Sequence, residues 1–203
     1  MWSVEALEPS AVTLTLLSPD GDQGFPGALS VSLRYSIEAE GTELWLRYRA
    51  TTTRPTPVSL TNHAYFNLGS GTVSGHTLHL LCSGYNPDDG SGSGLPTGEH
   101  RSVKGTVRDA SGGPTSVGSL IEGQASDTPL WPHGEQMVAD AMRGRDPNAV
   151  AEEGDGSLAA LPLLATLAHP PSGRALRVFS SEPVVQTCVA AAAATCTPAL
   201  LPS

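Results

Sequence analysis

Between residues 11 and 83 apolar and polar residues alternate with a period of two, which places successive side chains on opposite faces of an extended strand. AVTLTLLS (11–18) predicts a first strand, and SPDGDQGFPG (18–27) supplies the Pro, Asp and Gly of a compact loop. ALSVSLRYSI (28–37) then sets Leu29, Val31, Leu33, Tyr35 and Ile37 on one face. EAEG (38–41) predicts a hairpin-like turn, after which TELWLRYRA sets Leu44, Leu46 and Tyr48 against Trp45, Arg47 and Arg49. TPVSLTNHAYFNL (56–68) continues the alternation. Val58, Leu60, Asn62, Ala64, Phe66 and Leu68 fall on one face, and Ser59, Thr61, His63, Tyr65 and Asn67 on the other. A strand is expected here, with Val58, Leu60, Ala64, Phe66 and Leu68 packed and His63 facing a groove. HTLHLLCS (76–83) predicts a further strand. Turn signals recur at the spacing of an all-β sandwich, and no amphipathic helix interrupts them.

Beyond residue 84 the period weakens. YNPDDGSGSGLPTGE (85–99) reads as a long loop, and VGSLIEG (117–123) as one short helical turn. Residues 124–160 carry no steady period and are expected to form a flexible insertion. LPLLATLAH (161–169), PPSGR and ALRVFSS then read as strand, turn and strand of a hairpin. The tail AAAAATCTPALLPS (190–203) offers no apolar face to bury. The whole, 1–203, is expected to be one partial domain, poorly ordered at 124–160 and 190–203.

Composition narrows the partners. The chain has 203 residues, long enough for a sizeable core. Eleven basic against twenty acidic residues give a net charge of −9, without a basic run, which argues against nucleic acid or an anionic membrane as partner. Cys82, Cys188 and Cys196 are an odd set without metal-ligand or CxxC spacing. They predict reduced thiols in a cytoplasmic protein. The first residues lack a basic leader, and AVTLTLLS is too short to span a bilayer.

His63 changes the reading of its strand. Its face carries hydroxyls, an imidazole, a phenol and an amide. Such a face can pair sugar hydroxyls and rest a pyranose ring on an aromatic. The same pattern also describes an ordinary solvated strand face.

TPVSLTNHAYFNL closely resembles the histidine strand of the galactose mutarotases, the aldose 1-epimerases. Trp2, the SPDGDQGFPG loop, the LWLRYRATTTRPTPVSLTNHAYFNL run, YNPDD…LPTGE, GTVRD (105–109), SLIEG and SGRALRVFSSEPVVQ (172–186) occur in that family's order. The resemblance covers about residues 2–121 and 162–187. It implies an antiparallel β-supersandwich, incomplete here, and interconversion of the α and β anomers of free hexoses such as galactose and glucose. It carries over to His63 the role of general acid, and an imidazole can give and retake a proton near neutral pH. Gln186 matches a glutamine that hydrogen-bonds the sugar, although locally it is an ordinary polar strand residue. Asp127 is the nearest candidate for a sugar-binding aspartate, but GQASDTPLW equally describes a solvated loop. The resemblance implies no metal and no organic cofactor.

The departures shape the expectation of activity. The family's opening strands, with an arginine and another active-site histidine, would precede Trp2, and its catalytic glutamate would follow residue 187. No acidic residue follows Glu182. The chain is therefore expected to be incomplete at both ends, or divergent, with the acid and without the recognised base. His76, His79, His100, His133 and His169 do not form metal-ligand spacings, and surface or structural roles are expected for them. Two other functions stay open. One is a carbohydrate-binding protein on the same scaffold. The other is a hexose-6-phosphate 1-epimerase, which would need a basic pocket around Arg47, Arg49 and Arg54.

Overall fold

The alternation over residues 11–52 becomes an antiparallel meander. The computed structural model describes residues 1–69, 71–89, 96–122, 128–131, 161–182 and 184–187. Strands β1 (Ser3–Glu8), β2 (Ala11–Ser18), β3 (Leu29–Glu38) and β4 (Glu43–Thr52) pair in that order. Register aligns Leu14 with Leu33 and Leu33 with Tyr48, and Leu16 with Val31 and Val31 with Ala50. The apolar positions of neighbouring strands therefore share a face, as the pattern requires. Val31 and Leu33, on the central strand, are buried. A bulge between Val4 and Ala6 keeps Val4 opposite Leu14 and Leu7 opposite Val12. β1 was not expected: five of its six residues are exposed, so burial imposed no period for the sequence to display.

The β2–β3 loop is closed by its own carboxylate. Asp20 Oδ1 accepts the Gly27 amide at 2.7 Å and pairs with Arg54. Gly27 sits at φ +82°, and a Cβ there would lie 2.8 Å from Thr52 Oγ1 and 2.9 Å from the Arg54 nitrogen. Only glycine fits such a corner. These strands, with the segment that follows, make up one compact unit, Met1–Tyr65.

The expected strand through NHAYFNL is not formed. Residues 53–69 have no regular secondary structure, and Val58, Ala64 and Phe66 are exposed while Leu60 and Leu68 are half-buried. Alternation makes a strand only where a neighbour accepts its backbone bonds. Among the described residues no strand pairs with this stretch. Pro55 and Pro57 also remove donors at its start, and Asn62 Oδ1 takes the Ala64 amide at 3.3 Å in a local turn.

The second compact unit runs from Phe66. It holds β5 (Thr77–Leu80), β6 (Gly84–Tyr85), β7 (Arg101–Ser102), β8 (Thr115–Ser116), α1 (Val117–Glu122), β9 (Thr128–Trp131), β10 (Leu163–His169), β11 (Arg174–Phe179) and β12 (Val185–Thr187). One sheet has the order β11-β10-β5-β8 and the other β12-β9-β6-β7, all antiparallel. The expected 161–181 hairpin is present as β10–β11, turning at Pro170–Ser172. Leu80, Cys82, Tyr85, Val103, Ala110 and Ala165 form a shared core, joined by Leu78, Val178 and Val185. Both sheets of this unit thus contribute to one core. Helix α1, at the predicted helical turn, buries Val117 and Leu120.

Within 124–160, expected as a flexible insertion, the described residues are Thr128–Trp131, which form a strand. The rest of that stretch, the tail 190–203, Cys188 and Cys196 lie outside the described residues. Among the described residues no helix is long and apolar enough to cross a membrane.

Candidate active-site histidine and its surroundings

His63 is exposed, on the irregular segment that follows β4. Its ring lies 5.0 Å from that of Tyr65, tilted by 41°. Two residues apart, the rings would share a face of an ideal strand, and they remain side by side without one. The local Asn62–Ala64 turn, with Thr61 Oγ1 donating to the Asn62 carbonyl at 3.2 Å, shapes the backbone on either side of His63. The result is a titratable donor beside an aromatic surface, open to a ligand. Such a pair can deliver a proton to an oxygen of a molecule resting on the phenol ring.

Three carboxylates of the same unit are held by arginines. Glu8 grips Arg34 with both oxygens, at 2.6 and 2.9 Å. The Arg34 hydrogen bond and charge hold the Glu8 carboxyl below its usual value. Glu38 accepts from Arg47 at 2.9 Å and from Ser36 at 2.8 Å, and the same two donors, Arg47 first, lower it. Asp20 is lowered first by the Gly27 amide and then by Arg54. A carboxylate stabilised in this way is a weaker proton acceptor. The guanidiniums are equally engaged. Arg47 also lies 4.5 Å over the Trp45 ring, and Arg54 holds Asp20.

Gln186 is the central residue of β12, exposed and in register with Pro129 of β9. It belongs to the second compact unit, and His63 to the first. Asp127 lies outside the described residues. His79 Nε2 meets the Ser111 carbonyl at 3.2 Å. His76, which the alternation marks only as the residue before β5, is buried with both ring nitrogens bonded to backbone. Periodicity could not have distinguished it from a surface residue.

A family model described as aldose 1-epimerase matches residues 1–194. The galactose mutarotase of Rattus norvegicus is 31% identical over 189 residues, covering 92% of this chain and 48% of that protein. The aldose 1-epimerase of Escherichia coli is 38% identical over 110 residues, covering 53% of this chain and 31% of its own. The crystal structure of an aldose epimerase homologue from C. elegans superposes with a TM-score of 0.69 at 23% identity, covering 90% of this chain and 49% of that one. The crystal structure of galactose 1-epimerase from Lactobacillus acidophilus does so with a TM-score of 0.57 at 23% identity, covering 82% and 44%. The chain spans about half the length of the curated relatives it matches. The two structures share its antiparallel all-β fold, and the family model runs from its first strand past its last described one, so the chain belongs to the aldose 1-epimerase family.

Proposed function

We propose that the chain acts on free aldoses such as galactose or glucose, interconverting their α and β anomers, with His63 as general acid. The observation that carries this reading is the exposed His63 ring beside Tyr65, on the segment that resembles the family's histidine motif. In the reaction His63 protonates the ring oxygen while a base removes the proton of the anomeric hydroxyl. The bond between the anomeric carbon and the ring oxygen breaks and leaves the open-chain aldehyde. Rotation about the adjoining carbon–carbon bond presents the other face of the carbonyl. Reclosure, with both proton transfers reversed, gives the other anomer. Gln186 and Asp127 are proposed as sugar-binding residues, Gln186 through its amide. The reaction calls for neither a metal nor an organic cofactor.

A second reading, sugar binding without turnover, is favoured by the carboxylates. Glu8, Asp20 and Glu38 are each engaged by arginine and are poor candidates for the base. A phosphosugar substrate has less support, because Arg47 and Arg54, two members of the basic group it would need, are held by Glu38 and Asp20.

Polarimetry on freshly dissolved α-D-galactose and α-D-glucose tests both readings, paired with ligand-observed NMR of sugar binding. Catalysed mutarotation that falls on the order of 100- to 10,000-fold in His63→Ala supports the epimerase. Binding without turnover supports the second reading. Neither binding nor turnover sinks both.

A further inference from the structure

His76 is 1% exposed, and its surroundings specify its protonation. Nε2 receives the Leu68 amide at 2.9 Å, and Nδ1 lies 3.0 Å from the Val73 carbonyl. An amide N–H can only donate, so Nε2 must hold a lone pair. Nδ1 must then carry the proton and donate it to Val73. The ring is neutral, in one tautomer, and closes residues 68–76 into a loop.

The loop is also pressed onto the β10–β11 turn. The His76 ring packs against His169 at 4.7 Å and 34°. The Leu68 carbonyl accepts from Ser172 Oγ at 3.2 Å and from Arg174 at 3.1 Å. His169 Nδ1 lies 2.8 Å from the same Ser172 hydroxyl. Gly69 lies so close that a Cβ on it would come 2.5 Å from the His169 ring. Every polar group of Leu68 is thus held by this cluster, and Leu68 ends the NHAYFNL motif five residues beyond His63.

We propose that His76 is a proton-released latch, tying the end of the NHAYFNL segment to the β10–β11 turn in neutral solution and letting it go in acid. A proton added at Nε2 would face the Leu68 N–H donor to donor, so protonation and the latch exclude each other. It would also place a cation against the His169 ring, with the Arg174 guanidinium on the far side of the Leu68 residue. The other packed elements provide little compensation. The 68–75 loop carries no charged residue, β8 carries only Thr115 and Ser116, and the one charge of α1 is the exposed Glu122.

Residue-resolved hydrogen exchange tests this, with each amide expressed as protection relative to its intrinsic rate at the same pH. Below about pH 6.5 an imidazole released into water takes up a second proton. With one proton linked to opening, protection of the Leu68 amide should then fall about tenfold per pH unit. The Leu81 amide, bonded to Leu164 in the interior at 2.9 Å, should stay the better protected of the two over the same range, because it exchanges only when the core opens. His76→Gln keeps an acceptor and a donor but has no proton to gain, so its Leu68 protection should be independent of pH. Should that variant fail to fold, ring nitrogen shifts of the wild type decide. They should show the Nδ1–H tautomer at neutral pH and imidazolium in step with loss of Leu68 protection. The proposal is overturned if Leu68 protection stays flat from about pH 7.5 to 5, or if Leu68 is as well protected as Leu81 throughout. It is equally overturned if His76→Gln keeps the pH dependence, or if His169→Gln abolishes it while His76 is intact.

Discussion

Cys82 shows how far burial alone can move a side chain from its behaviour in water. It is 5% exposed, in the core of the second unit. Burial first, and then the nearby Asp109 carboxylate, push its thiol up to about 11 from an ordinary 9.0. The unfolded chain therefore ionises this thiol before the folded one does. The stability it contributes is complete below pH 9.0 and is lost as pH rises to about 11. The loss should be on the order of 2 kcal/mol. Urea midpoints measured at pH 8 and at about pH 10.5 should draw apart in the wild type by that much more than in Cys82→Ala. Equal alkaline slopes in the two would sink the assignment. The thiol should also resist alkylation in the native protein and react once urea is added, read on the Cys82 peptide by mass. The sequence marked Cys82 as a reduced thiol but could not place it in a core. His63 was the reverse case. Its motif singled it out as a candidate, while the backbone around it departed from the alternation that surrounded it.

Elements were legible where burial imposes a period. β2, β3, β4, β5 and the β10–β11 hairpin each have a face the sequence could display, and all five are present. β6, β7, β8 and β12 are two or three residues long, too short to show any period. Their existence depends on partners far along the chain, such as Arg101 opposite Tyr85 and Thr187 opposite Thr128. NHAYFNL failed in the other direction, having the period without the partner. A face is also not the same as a core, and substitution separates the two. Leu80 is 3% exposed and packs in the core of the second unit, so Leu80→Ala should cost about 2–5 kcal/mol. Leu7 lies on the apolar side of β1 yet is 80% exposed, so Leu7→Ala should cost less than about 0.5 kcal/mol. Denaturant midpoints of the two variants measure this. Comparable losses would mean that the exposed edge of the first sheet is covered in solution.

At the scale of the whole molecule, acidic residues outnumber basic ones twenty to eleven, and the surplus set the sequence's main exclusions. The structure adds where several of those carboxylates are spent. Glu8 and Glu38 are lowered chiefly by Arg34 and Arg47, Asp20 by the Gly27 amide and then Arg54, and Asp109 by the Ser111 hydroxyl and neighbouring amides. Each folded carboxyl thus releases its proton more readily than its unfolded counterpart. Their contribution is present above the unfolded values, about pH 4, and is lost as pH falls through the lower folded values. All four are exposed or nearly so, and solvent screens each pair, so the loss should be a gradual decline spread over several groups. Urea midpoints at pH 5, 4, 3 and 2.5 should fall continuously for the wild type. In Arg34→Ala the Glu8 carboxyl loses its main stabilising partner, and the acid slope should become shallower while the neutral midpoint drops slightly. Raising the salt to about 0.5 M should flatten the wild-type slope in the same sense. This decline begins near pH 4, whereas the His76 latch should begin to open at higher pH, so Leu68 should lose protection before the carboxylate contribution falls. A midpoint that rises between pH 4 and 2.5, or an Arg34→Ala variant with the full wild-type slope, would show that these ion pairs do not set the acid limit of the fold.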